Sequence, residues 1–152
     1  MRIPQILKGK RLKIVRIFQF NKKEQSEVAE EISRLLASEK YVRYRTPEEI
    51  IRLEDRFYCL IDENTEEILG VVSIRVADGY LGHLVIKPQY RRLGLAKLLV
   101  LFAIDVAIQH GNSKIFCHVR KQNKIAQKFF ESLGFQKVGE EENSYVYELI
   151  VS

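Results

Sequence analysis

The chain has 152 residues, 46% of them hydrophobic and 30% charged, with a formal net charge of +5. That length suits a single domain, residues 1–152, burying roughly 70% of its extended-chain surface, and the composition excludes an intrinsically disordered protein. The longest apolar stretch, residues 98–104, is far short of the ~20 residues of a membrane span, and the basic start lacks a signal peptide's apolar middle, so a cytoplasmic protein without a membrane partner is expected.

The elements follow in chain order. Residues 13–18 alternate as a strand, and residues 22–38 place Val28, Ile32, Leu35 and Leu36 on one helical face. A short helix is expected after Thr46, whose hydroxyl can cap it with Pro47 at the first helical position. Strands follow at 57–61, 68–76 and 81–86, with "DENTEE" and "ADG" as turns. A helix over 93–110, ending at Gly111, leads to a strand at 114–119, a helix at 123–133 and a hairpin of 135–138 with 145–151. A meander followed by strand–helix units predicts an α/β sheet with helices on both faces.

Charge and reactive residues narrow the chemistry. Residues 1–23 hold eight Lys or Arg and no acid, leaving 17 basic against 20 acidic residues in the remainder. An anionic partner such as nucleic acid is one reading of that basic start, and an edge strand protected from aggregation by its lysines is the favoured one. Cys59 and Cys117 lie in apolar runs and read as core residues. With three scattered histidines they offer no metal-ligand spacing, so no metal is expected.

The segment "HLVIKPQYRRLGLAKLL" carries an electrostatic conflict. An apolar strand ends at Pro88 and a helix opens near Gly94, yet the opening carries Arg91 and Arg92 where unpaired N–H groups and the helix dipole already concentrate positive charge. An anionic ligand in the turn resolves the conflict, its oxygens accepting the N–H bonds and the arginines supplying counter-charge. Neither GxxxxGK[ST] nor GxGxxG occurs, which removes the main support for nucleotide hydrolysis and dinucleotide binding.

Arg91, Gly94 and Ala96 in RxxGxA, after a strand ending in "VIKP", resemble the acyl-CoA pyrophosphate signature of the GNAT N-acetyltransferase superfamily. "HVRKQNKIAQKFFESLGF" is similar to the same family's NxxAxxxYxxxGF, matched at Asn123, Ala126, Gly134 and Phe135. Within the superfamily, "RRLGLA" with "HVRKQN" most resembles the branch that acetylates protein N-termini, ribosomal-protein acetyltransferases included.

The resemblance implies a mixed, mostly antiparallel sheet opened between its fourth and fifth strands, with acetyl-CoA lying in the opening. Leu84, Val85 and Ile86 would pair through their backbone with the pantetheine arm. Arg91, Arg92, Leu93, Gly94, Leu95, Ala96 and Lys97 would cradle the pyrophosphate, and Asn123 would bond the pantetheine or cap its helix. The implied reaction is attack of a primary amine on the thioester, which needs a base for the amine proton and donors for the developing oxyanion. His118 is the first candidate base, with packing beside Phe116 as the alternative, and His83 is the second. His110, at a helix end, reads as a partner of the dipole. Phe130 departs from the pattern, because the family carries there a Tyr that serves as general acid. Tyr41, Tyr44 and Tyr145 could line an acceptor site, and Glu140 to Glu142 could attract a cationic amine. The acceptor expected is an amine-bearing protein or peptide in preference to a small molecule; a CoA-binding sensor without turnover and a nucleic-acid-associated module are the alternatives.

Overall fold

The structure, a computed structural model, describes residues 4–151. Seven strands form one sheet in the order β1-β2-β3-β4-β5-β7-β6. They are β1 (Leu12–Arg16), β2 (Arg56–Asp62), β3 (Ile68–Arg75), β4 (Tyr80–Ile86), β5 (Lys114–Arg120), β6 (Gln136–Glu140) and β7 (Ser144–Ile150). All neighbours are antiparallel except β4 and β5, which are parallel. The sheet is therefore mixed and mostly antiparallel, as the family resemblance implied.

Helices α1 (Lys22–Ala37) and α2 (Pro47–Arg52) cover one face; α3 (Leu95–Gln109) and α4 (Lys124–Ser132) cover the other. Two cores result. Val28, Ile32 and Leu36 of α1 pack with Phe57, Cys59, Val71 and Val85, whereas Leu99, Val100 and Ala103 of α3 pack with Leu60, Leu69, Val72 and Ile74. Strands covered on both sides explain the near-continuous burial along β2 and β3.

Local signals set most boundaries. Asn21 accepts from Glu24 N to cap α1, and Thr46 and Glu49 form a reciprocal capping box at α2. His110 Nδ1 lies 2.9 Å from Val106 O at the end of α3. Two expectations shift. β1 stops at Arg16, because residues 17–19 turn into a 3₁₀ segment that buries Ile17 and leaves Phe18 46% exposed. α3 begins at Leu95 rather than Leu93, because Arg92 and Gly94 adopt φ of +62° and +81°.

Apart from residues 1–3, which lie outside the described part, three cations of the basic start are occupied within the molecule. Lys10 pairs with Glu67 at 3.2 Å and Asp62 at 3.8 Å, while Arg11 and Lys13 meet Glu63 at 3.3 and 3.1 Å. β1 is an edge strand, so these cations also serve the anti-aggregation role expected of them. Among the described residues no helix is long and apolar enough to cross a membrane.

Candidate active site

β4 and β5 pair at one position, Tyr80 with Phe116. Gly79 O accepts from Phe116 N at 3.0 Å beside that pair. Gly79 has φ +84°, and a Cβ there would stand 2.3 Å from the Lys114 carbonyl oxygen, so the join depends on glycine. Past this join the two strands share no further pairing and leave a fork between them. On its other edge β4 stays paired to β3, with a register shift between Val71 and Ser73. His83 lies within the shifted stretch at φ +53°, the kind of bulge that re-aims a side chain.

The fork opens into a cleft of about 310 Å³. Tyr41, Arg43 and Arg45 line it from the α1–α2 connection, Tyr80, His83 and Leu84 from β4, His118 and Arg120 from β5, and Asn123 and Phe130 from α4. No Asp or Glu is among the lining residues described.

The second feature is the turn from β4 into α3. Among the described residues, the N–H groups of residues 92–97 meet no backbone or side-chain acceptor; the first bond into the helix runs from Leu98 N to Gly94 O at 3.1 Å. These donors sit at the N-terminus of a 15-residue helix with no acid in its first turn. Such an end attracts anions through its free donors and its dipole. A Cβ on Gly94 would meet nothing within 4 Å, so the glycine is required by its positive φ rather than by close approach. Arg91 is partly committed. Its Nε donates to Ile86 O at 2.9 Å and its Nη2 contacts the Glu39 carboxylate, which ties the turn to the end of α1. Arg92 is exposed and makes no ion pair among the described residues.

The two histidine candidates differ in what surrounds them. His83 is 7% exposed, and its Nδ1 and Nε2 are 2.7 Å from Ser73 Oγ and 3.1 Å from Arg45 Nε. Arg45 can only donate, so Nε2 accepts and the ring proton sits on Nδ1, toward Ser73. Burial first, then Arg45 and Arg43, push the His83 pKa down to about 4. The Nε2 lone pair of this second candidate is thus occupied by Arg45, and the neutral ring links Ser73 to Arg45. His118 lines the cleft with its Nδ1 3.1 Å from Glu141 Oε1 and its ring 5.6 Å from Tyr80. Packing against aromatics and a place at the cleft coexist, so the two readings of His118 are not exclusive.

Asn123 does cap its helix, Oδ1 accepting from Ala126 N at 3.2 Å, and it lines the cleft as well. Phe130 is buried against Phe129 and Phe135 while one side reaches the cleft. Of the three tyrosines, Tyr41 lines the cleft, but Tyr44 and Tyr145 do not. Tyr44 Oη lies 3.2 Å from Ser33 Oγ and the residue is 51% exposed; Tyr145 lies under Lys137, whose ammonium is 3.6 Å from the ring centre. The acidic loop also faces other partners, since Glu140 pairs with Lys121 at 3.2 Å and Glu141 with His118. Burial raises the thiols of Cys59 and Cys117 to about 12, which leaves both unreactive at neutral pH.

Sequence reasoning missed Tyr80, Arg43, Arg45 and Arg120. Arg43 and Arg45 stand in the segment "YVRYR", where the tyrosines drew attention first. Nothing local marks Tyr80 as a cleft residue, because the β4–β5 join alone puts it there.

A parallel fork in a mixed sheet, beside a helix start with unpaired N–H groups, defines a protein class that binds an extended ligand with an anionic end. Residues 25–135 match the Acetyltransferase (GNAT) family, and the chain belongs to it. It is 34% identical over 65 residues to a [Ribosomal protein bS18]-alanine N-acetyltransferase of Haemophilus ducreyi, covering 43% of this chain and 45% of that protein. It is 28% identical over 97 residues to human N-acetyltransferase 8, covering 58% of this chain and 43% of that protein. The chain thus spans less than half the length of these relatives. Among solved structures, N-acetylglutamate synthase from Neisseria gonorrhoeae, complexed with coenzyme A and N-acetyl-glutamate, superposes with a TM-score of 0.73 at 19% identity, over 95% of this chain and 36% of that one. Arabidopsis thaliana NAA60 in complex with acetyl-CoA gives 0.72 at 15% identity, over 93% and 99%. At such identities these likenesses show the fold, and the fold agrees with the one the two motifs implied.

Proposed function

We propose that the protein transfers an acetyl group from acetyl-CoA to a primary amine. The observation that carries this reading is the continuity of β4: its unpaired edge forms the fork, and the turn that follows it presents the free N–H groups of residues 92–97. A pyrophosphate suits those donors, and an amide-bearing arm suits an unpaired strand edge. Acetyl-CoA would supply an activated thioester at the fork.

The remaining roles fall to side chains lining the cleft. Glu141 beside Nδ1 favours the His118 proton on that nitrogen, which leaves the lone pair on Nε2 to take the proton of the incoming amine. Nδ2 of Asn123 makes no hydrogen bond among the described residues and remains able to donate to the ligand. Phe130 contributes an apolar wall and no proton. Tyr80 lines the same cleft and carries a phenolic proton that could pass to the leaving thiolate.

Acetyl-CoA at 100 times its Kd is expected to stabilise the fold by about 2.7 kcal/mol, read as a rise in Tm, and amine-dependent thiol release should follow. Failure to stabilise would overturn the assignment of the turn. Stabilisation without thiol release from any amine would turn the reading into that of a CoA-binding sensor.

A further inference from the structure

The lining of the cleft is cationic. Arg43, Arg45 and Arg120 line it, whereas no carboxylate does among the described residues. Among the described residues Arg43 and Arg120 make no ion pair; Arg45 has one, from its Nη1 to Glu49 at 3.4 Å.

Arg45 is also the most rigidly held of the three. Its side chain is 13% exposed, and its Nε is fixed by His83, which Ser73 fixes in turn. Its Nη2 makes no hydrogen bond among the described residues. A guanidinium built into a wall with donors left over suits a planar, doubly accepting anion, and preorganisation makes it more selective than a mobile lysine. A polyamine would place further positive charge against three arginines.

We propose that the acceptor is an amine carrying a carboxylate close to the reacting nitrogen, and that Arg45 binds this carboxylate, with Arg43 and Arg120 adding to the field. This rests on the N-acetyltransferase reading and names its substrate class. Ser73 and His83 are positioning residues for Arg45. Free acidic amino acids and peptides with an acidic N-terminal residue share the required chemistry.

The test measures thiol release from acetyl-CoA with four acceptor sets: L-aspartate and L-glutamate, their amides, peptides with acidic or neutral first residues, and spermidine. Carboxylated acceptors should show a kcat/KM at least tenfold above their amides, and the free or peptide arm with the higher value identifies the source. Arg45→Gln should raise KM for the carboxylated acceptor tenfold or more, with a small change in kcat and none in acetyl-CoA affinity. Arg43→Gln alters an exposed residue and should give a smaller rise of the same kind in a folded protein. Loss of acetyl-CoA affinity in these variants would assign the arginines to the cofactor and overturn the proposal. Equal use of amides or preference for spermidine would overturn it while leaving the acetyltransferase reading intact, and no release from any acceptor would overturn both.

Discussion

The two ends of the cleft are built from different materials. At the turn after β4, the groups assigned to the ligand are backbone N–H groups left unpaired by a helix start, with the exposed side chains of Arg92 and Lys97 beside them. Across the fork, the groups are side chains from four separated segments: strand pairing brings Ser73, His83 and His118 together, and the α1–α2 connection adds Arg45 through its bond to His83. The backbone end depends on conformation and tolerates changes in side chains. The side-chain end depends on charge state and identity.

The largest expected effect tests the side-chain end. His118→Ala should lower kcat by about 10²–10⁴-fold with acetyl-CoA affinity unchanged; normal turnover would remove His118 as the base. The next separates the ends by pH. Because the native state keeps His83 neutral with a pKa near 4 against an ordinary 6.5, its contribution to stability is complete above pH 6.5. It is lost as pH falls, at about 1.4 kcal/mol per unit and about 3 kcal/mol by pH 4. Urea unfolding between pH 7 and 5 should show this slope, and His83→Gln should flatten it. Carboxylates held low by their partners, such as Asp62 with Arg11 N and Glu67 with Tyr90 and Lys10, act in a lower window.

A smaller effect tests the backbone end. Gly94→Ala places an L residue at φ +81°, a strain of about 1–2 kcal/mol, and should weaken acetyl-CoA roughly five- to thirtyfold by titration calorimetry. Arg92→Gln should weaken it less. The reverse order would mean that the turn binds through its arginine and that the contrast between the ends is mistaken. Smallest of all, Phe130→Tyr should shift stability by less than about 1 kcal/mol, because the ring already reaches the cleft. Turnover should be unchanged or raised, with unchanged turnover favouring Tyr80 as the proton donor.

This contrast also decides what was legible beforehand. The order of strands and helices, the caps at Thr46 and Asn123, and the anion-seeking turn are encoded within a few residues each, by periodicity, capping chemistry and charge. The same local logic failed at two boundaries. Nothing in "VRIFQF" signals that Ile17 would be pulled into the α1–α2 core, and Arg92 gives no warning of a positive φ. At the acceptor side local logic does not reach tertiary contacts: Tyr44 lies beside Ser33 and Tyr145 under Lys137, and neither lines the cleft.

The sequence by itself determined the element order, the family motifs and the turn whose backbone donors are left unpaired, since helix ends follow from short-range conformation. Only the tertiary structure decided that His83 is locked between Ser73 and Arg45, that Tyr80 stands at the fork, and that arginines but no carboxylate line the cleft among the described residues. Those properties arise from strand pairing and the placement of the α1–α2 connection over the sheet, and no stretch of adjacent residues carries them.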